Sequence, residues 1–85
     1  MHEISLAEEI VQTIEEAARR EGFGRVRTVF LEIGRLSCVE PDALAFCFES
    51  VALGSVAEGA RLEIAELPGD EMRVKELEVE EVEGG

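Results

Sequence analysis

The first residues of the chain place three nitrogen donors where one metal ion can bind them together. The amine of Met1, the backbone amide of His2 and the His2 imidazole can close fused chelate rings on a single ion. Deprotonating an amide nitrogen requires a metal that prefers square-planar geometry, which favours Cu(II) or Ni(II) over zinc. The amide or the carboxylate of Glu3 can complete the fourth position. The residues therefore allow a metal site at Met1, His2 and Glu3, and an ordinary exposed histidine near a terminus is the alternative.

Other reactive residues are scarce. The chain has one histidine and two cysteines, Cys38 and Cys47, without a CxxC pair, so a closed Cys/His zinc site within one chain is excluded. A nucleophilic triad would have to use His2, and no glycine-rich phosphate loop is present. We expect Cys47 to be a small core residue and Cys38 to be a surface thiol. The chain is not expected to be an enzyme.

Length and charge narrow the class of protein further. The 85 residues suit one domain, expected over residues 1–80, followed by a disordered tail at 81–85. Twenty acidic and eight basic residues give a net charge of −12, which disfavours binding to nucleic acid or to an anionic membrane. No apolar run approaches the ~20 residues of a membrane span, and the first residues do not resemble an export signal. We therefore expect a cytoplasmic protein.

Two helices are predicted from apolar spacing. The first has a capping-box pattern at residues 5–8, an apolar stripe through Ile10 and Ile14, and a stop at Gly22. The second begins at Pro41, which suits the first turn of a helix because proline has no N–H to leave unpaired. Its apolar stripe consists of Leu44, Cys47, Phe48 and Val51.

Strands are predicted around these helices. Residues 25–34 alternate, with Val29, Leu31 and Ile33 on one face and Val26 and Phe30 on the other.

A further strand contains Leu62 and Ile64, and a turn follows at residues 68–70. The alternation in residues 72–80 changes parity, which predicts a bulge near Lys75 and Glu76.

These elements, with a first strand at residues 1–5, give the order β-α-β-α-β-β. The expected fold class is α+β, with two helices packed on one face of a small mixed sheet. A regular first strand would direct His2 and Ile4 to the same face. Since Ile4 suits a core and a metal-binding His2 must reach water, ordered pairing is expected to begin near Glu3.

Several segments of the chain also resemble a known family. The Met-His-Glu start joins a run at residues 31–37, Leu-Glu-Ile-Gly-Arg-Leu-Ser, and a Val-Glu-Pro run at 39–41. Together they resemble the HypA/HybF family, the nickel metallochaperones of hydrogenase maturation. The full resemblance lies in segments 1–8, 25–26, 29–37, 39–44, 58–64 and 70–80, with Phe46, Phe48 and Glu49.

The resemblance implies a function. In that family the terminal amine, His2 and the backbone around Glu3 bind Ni(II), which assigns this role to Met1, His2 and Glu3. Family members deliver nickel to the large subunit of NiFe hydrogenase together with a HypB-type GTPase, and in some organisms they also serve urease. The alternative, from a different class, is a metal-free interaction or dimerisation module derived from HypA.

One departure from the family is large. The family has a zinc module with two CxxC pairs between its last two strands, whereas here residues 67–70 join the strands directly. No structural zinc is therefore expected. The short Pro68-Gly69 connection can form a hairpin, but it also favours exchange of the last strand between two copies, which predicts a homodimer.

Overall fold

The computed structural model describes residues 3–80, which form two helices and three strands. The α+β class is confirmed. The elements in chain order are α1 (Glu3–Glu21), β1 (Val26–Gly34), a 3-10 turn (Arg35–Ser37), α2 (Pro41–Val51), β2 (Arg61–Leu67) and β3 (Met72–Val79).

The sheet is mixed, with the strand order β2-β1-β3. β1 lies in the centre, parallel to β2 and antiparallel to β3. The parallel pairing follows from α2, which carries the chain back along the sheet so that β2 starts at the same end as β1. In register, Val29 lies between Leu62 of β2 and Leu77 of β3.

The core lies between the helices and one face of the sheet. Val29, Leu31 and Ile33 of β1 are buried, as their alternation predicted. The buried side chains of both helices join them in one cluster, which confirms that the helices share a face; these are Leu6, Ala7, Ile10, Val11, Ile14, Leu44 and Phe48. Within residues 3–80, no helix is long and apolar enough to cross a membrane.

Two irregularities in the pairing of β1 with β3 decide which side chains reach the core. Phe30 pairs with Glu76 and Leu31 pairs with Val74, so Lys75 is the extra residue of the predicted bulge. A second shift lies at Arg27. It moves Val26 to the core, where its exposure is 1%, so the sequence assignment of Val26 to the opposite face is wrong.

The first strand of the predicted order is wrong for the residues that the structure describes. Glu3, Ile4 and Ser5 belong to α1, which begins at Glu3, so the predicted capping box at Ser5 is wrong as well. An acidic residue in the first turn favours this earlier start, because it complements the positive end of the helix dipole. The predicted stop at Gly22 is confirmed, with φ +81°.

The connection between β2 and β3 crosses over the end of β1 and does not form a hairpin. The two strands are joined directly through residues 68–71, as predicted, but β1 lies between them. The crossing segment contacts the end of β1: the Gly34 N–H donates to Glu71 O at 2.7 Å, and the Leu36 N–H donates to Gly69 O at 2.8 Å. A Cβ on Gly34 would lie 2.3 Å from Gly69 O, so this close approach requires glycine.

Candidate metal site

Glu3 is the one predicted site residue within the described part of the chain. It is half-buried in the first turn of α1. Its Oε2 accepts a hydrogen bond from the backbone N–H of Glu40 at 3.2 Å. Glu40 directly precedes α2 and has an extended backbone. This bond therefore ties the start of α1 to the start of α2.

α1 and α2 start at the same end of the domain and run in the same direction. Farther along, Glu15 Oε2 of α1 accepts the N–H of Val56, which follows the end of α2, at 2.8 Å. The end of β1 leads directly to the loop before α2, and the crossing segment is bonded to the same end of β1. Glu3 consequently lies at the end of the domain where the loop at residues 35–40 and the crossing segment at 68–71 meet.

The other two predicted ligands, Met1 and His2, lie outside the described residues, as does the predicted tail at 81–85. Among residues 3–80, no three side chains of His, Cys, Asp or Glu converge closely enough to hold a metal ion. A metal site that includes Glu3 would therefore need donors from outside the described residues, and in the sequence Glu3 directly follows Met1 and His2.

The two cysteines differ in their surroundings. Cys38 is exposed, as predicted, and has a left-handed backbone with φ 60°. Cys47 is partly buried and packs against the hydrophobic core from α2, in agreement with its predicted packing role.

Sequence reasoning missed the part that Glu40 plays. Its contribution is a backbone N–H, which every residue except proline carries, so no residue type signals it. The partner, Glu3, lies 37 positions away in the sequence. Only the packing of the two helices brings the two groups together.

The fold and the position of Glu3 define a small α+β domain in which the first turn of α1 is bonded to the residue before α2. A family model described as "Hydrogenase/urease nickel incorporation, metallochaperone, hypA" matches residues 1–72. The chain belongs to this HypA family.

Individual relatives agree with the family match. The hydrogenase maturation factors HypA of Albidiferax ferrireducens and Dechloromonas aromatica are 62% and 61% identical over 69 residues, which cover 81% of this chain. The chain spans 61% of the length of both proteins. HypA of Azotobacter vinelandii is 46% identical over 113 positions, which cover 94% of this chain and all of that protein.

The fold is also found in a solved structure. The solution structure of the Ni metallochaperone HypA from Helicobacter pylori superposes with a TM-score of 0.84, over 93% of this chain and 97% of that chain. The identity is 21%, so the likeness concerns the fold alone.

Proposed function

We propose that this chain is a nickel metallochaperone, which binds Ni(II) through the Met1 amine, His2 and Glu3 and delivers it for the maturation of NiFe hydrogenase. The observation that carries the proposal is the family match, which begins at residue 1 and includes all three of these residues. The protein acts in the cytoplasm as a binding and delivery protein and is not an enzyme.

Geometry and charge support this proposal. The bond between Glu3 and Glu40 fixes the residue that follows His2, so a terminal chelate would form at a defined end of the domain. The net charge of −12 produces a field that attracts cations. A site built on the terminal amine can release its ion when the chain start moves away, which suits handover.

The proposed partners are those that the family resemblance implies: a HypB-type GTPase and the large subunit of NiFe hydrogenase. Nucleic acid and membranes are not proposed, since the excess of acidic over basic residues opposes both.

We also propose that the chain carries no structural zinc. Its two cysteines, Cys38 and Cys47, do not form a CxxC pair, and residues 67–70 occupy the junction where the family has its zinc module. Metal analysis of protein purified without chelators should find zinc far below one equivalent per chain, because no CxxC pair is present to hold it. Stoichiometric zinc would contradict this part of the proposal.

A homodimer formed by exchange of β3 is also proposed. Within residues 3–80, β3 pairs with β1 alone, so an exchanged β3 would keep all of this pairing. The connection of residues 68–71 is short, which favours exchange. Light scattering should find a dimer, and a monomer across all concentrations would contradict exchange.

The nickel proposal is tested by titrating Ni(II) into protein without a tag and recording absorbance in the d–d region. The chain as it stands should give a yellow, planar complex at one ion per chain. His2→Ala removes the imidazole, and an added residue before Met1 displaces the amine. Both changes should abolish tight binding.

Cys38→Ser is the matched control, because it removes an exposed soft donor and leaves the chain start intact. It should bind nickel as the unmodified chain does. Equal binding by the His2→Ala and extended variants would refute the terminal site, and a six-coordinate spectrum would indicate capture by surface carboxylates instead.

A further inference from the structure

The strand β2 forms one edge of the sheet, and in the described part of the chain it pairs with β1 alone. Most of its residues are exposed. The unpaired side of an edge strand presents backbone N–H and C=O groups that another extended chain can bind. β2 begins beside Thr28 and ends beside Gly34, so its start lies at the end of the domain away from Glu3.

An apolar groove lies beside the start of this edge. Its volume is about 450 Å³, and its lining, from α2, the loop after α2 and the start of β2, includes Phe48, Ala52, Leu53 and Leu62. None of the described residues of β1 lines it, so the groove opens on the side of β2 away from β1. Leu53 is 67% exposed although it is a large apolar residue. A strand added to β2 would place every second side chain in line with Leu62 and Ile64, on the face of the sheet that packs against the core.

The charges around the groove select the kind of chain that fits. Glu49 and Glu58 lie in the groove wall, and Glu63 and Glu66 lie along β2. The carboxylate of Glu58 is held in place, because its Oε1 accepts a backbone N–H at 2.7 Å. Arg61 also lines the groove, and its Nε lies 3.7 Å from Oε2 of Glu63. Lysine or arginine side chains on an added strand would therefore meet charges of the opposite sign.

We propose that β2 and the groove beside it bind an extended, basic segment of a partner protein, which adds to the sheet as a further strand and alternates apolar residues with lysine or arginine. The apolar side chains enter the groove, and the basic ones face Glu63 on the open face of the sheet. A second copy of the chain fits less well, because each copy has a net charge of −12. The residues after β3 include Glu81 and Glu83, so they have the wrong charge as well. The proposal does not depend on the nickel site.

A synthetic peptide with blocked ends, Lys-Val-Lys-Leu-Lys-Val-Lys, is the probe. It is titrated into the full chain by calorimetry in about 0.15 M salt, where distant charges are screened, and should bind at one peptide per chain. The same peptide with glutamate in place of lysine keeps the alternation and should bind more weakly by about tenfold or more. Lys-Lys-Val-Leu-Val-Lys-Lys has the same composition without the alternation and should also bind more weakly. No binding of the alternating peptide, or equal binding of all three, would overturn the proposal.

Two exposed leucines provide a variant and its matched control. Leu53→Lys removes an apolar side chain from the groove and adds a positive charge, so it should weaken binding of the alternating peptide by about tenfold, the effect of losing one buried leucine. Leu36→Lys makes the same change in charge at a leucine that is 74% exposed and lies at the other end of the domain. It should bind within about twofold of the unmodified chain. Equal weakening in both variants would show attraction to the net charge alone and would overturn the proposal.

Amide hydrogen exchange followed by NMR identifies the strand that binds the peptide. Alternate residues of an edge strand direct their N–H groups away from the sheet, so exchange should slow at alternate positions in residues 61–67 and stay unchanged in β3. Slower exchange in β3, or in no strand, would contradict addition to β2.

Light scattering tests whether a second copy covers the groove instead. Leu53→Lys should have the same oligomeric state as the unmodified chain, because the proposed occupant is a different protein. A change from dimer to monomer in this variant would show that a second copy occupies the groove and would overturn the proposal.

Discussion

The substitution Gly34→Ala tests the crossing of the β2–β3 connection over the end of β1. The backbone of Gly34 has φ −72° and ψ 138°, which alanine adopts readily, so conformational strain is not the cause of any effect. The added Cβ would lie 2.3 Å from Gly69 O, 2.4 Å from Gly69 C and 2.7 Å from Asp70 N. All three atoms belong to the backbone, so no side-chain rotation relieves the contacts.

The size of the effect follows from these distances. To reach ordinary contact at 3.4 Å, the connection must move away from β1 by about 1 Å. This shift would weaken two hydrogen bonds, Gly34 N–H to Glu71 O and Leu36 N–H to Gly69 O, each worth about 1 kcal/mol. Overpacking of this kind adds about 1–3 kcal/mol. We expect Gly34→Ala to lower the free energy of unfolding by about 2–4 kcal/mol, which for a chain this short lowers Tm by roughly 10–25 °C.

Urea unfolding followed by circular dichroism measures this difference. Gly24→Ala is the matched control, since a Cβ at Gly24 meets no atom within 4 Å, and it should leave stability unchanged or slightly raised. Two residues inserted between Pro68 and Gly69 should let the connection move and restore part of the stability lost in Gly34→Ala. A Gly34→Ala protein within about 0.5 kcal/mol of the unmodified chain would refute the crossing at this distance.

One backbone conformation and two side-chain contacts give further predictions that urea unfolding also checks. Cys38→Gly should raise the free energy of unfolding by about 0.5–1 kcal/mol, because Cys38 holds a left-handed backbone; Cys38→Ser keeps the Cβ and should give no gain. Glu15→Ala should cost about 1–2 kcal/mol by leaving the Val56 N–H without its acceptor, and Glu15→Gln should recover most of this loss. Arg73→Gln should cost about 0.5–1 kcal/mol by removing the 2.7 Å contact with Glu32. That cost should shrink in concentrated salt, and a salt-independent cost would contradict an electrostatic origin.

Periodic features of this fold were predictable from the sequence. Ile10 and Ile14 repeat at helical spacing and are buried in α1, and Leu31 is buried where the strand alternation placed it. The bulge at Lys75 was predictable because an extra residue changes the parity of apolar positions, and a sheet with one covered face must restore that parity. All of these features follow from the burial of apolar side chains, and the spacing of apolar residues in the sequence indicates that burial directly.

Features that depend on long-range pairing were not predictable. The bond between Glu3 and Glu40 involves a backbone N–H that no pattern marks. The bulge at Arg27 turns Val26 inward. Val26 is the only apolar residue of β1 before this bulge, and one residue is too few to show that the alternation of apolar positions has changed. Covalent geometry allows Met1 and His2 to bind one metal ion, the family resemblance assigns them that role, and this part of the site stays a prediction.

The crossing segment has a consequence for relatives that carry more residues between the last two strands. β2 and β3 flank β1, so their adjoining ends stand two strand spacings apart, about 10 Å. Extra chain inserted at residues 68–71 would be attached at two separate points, one on each side of β1. A two-point attachment restricts rotation in a way that a single flexible linker does not. An inserted module would therefore keep a limited range of orientations beside the end of the domain where Glu3 lies.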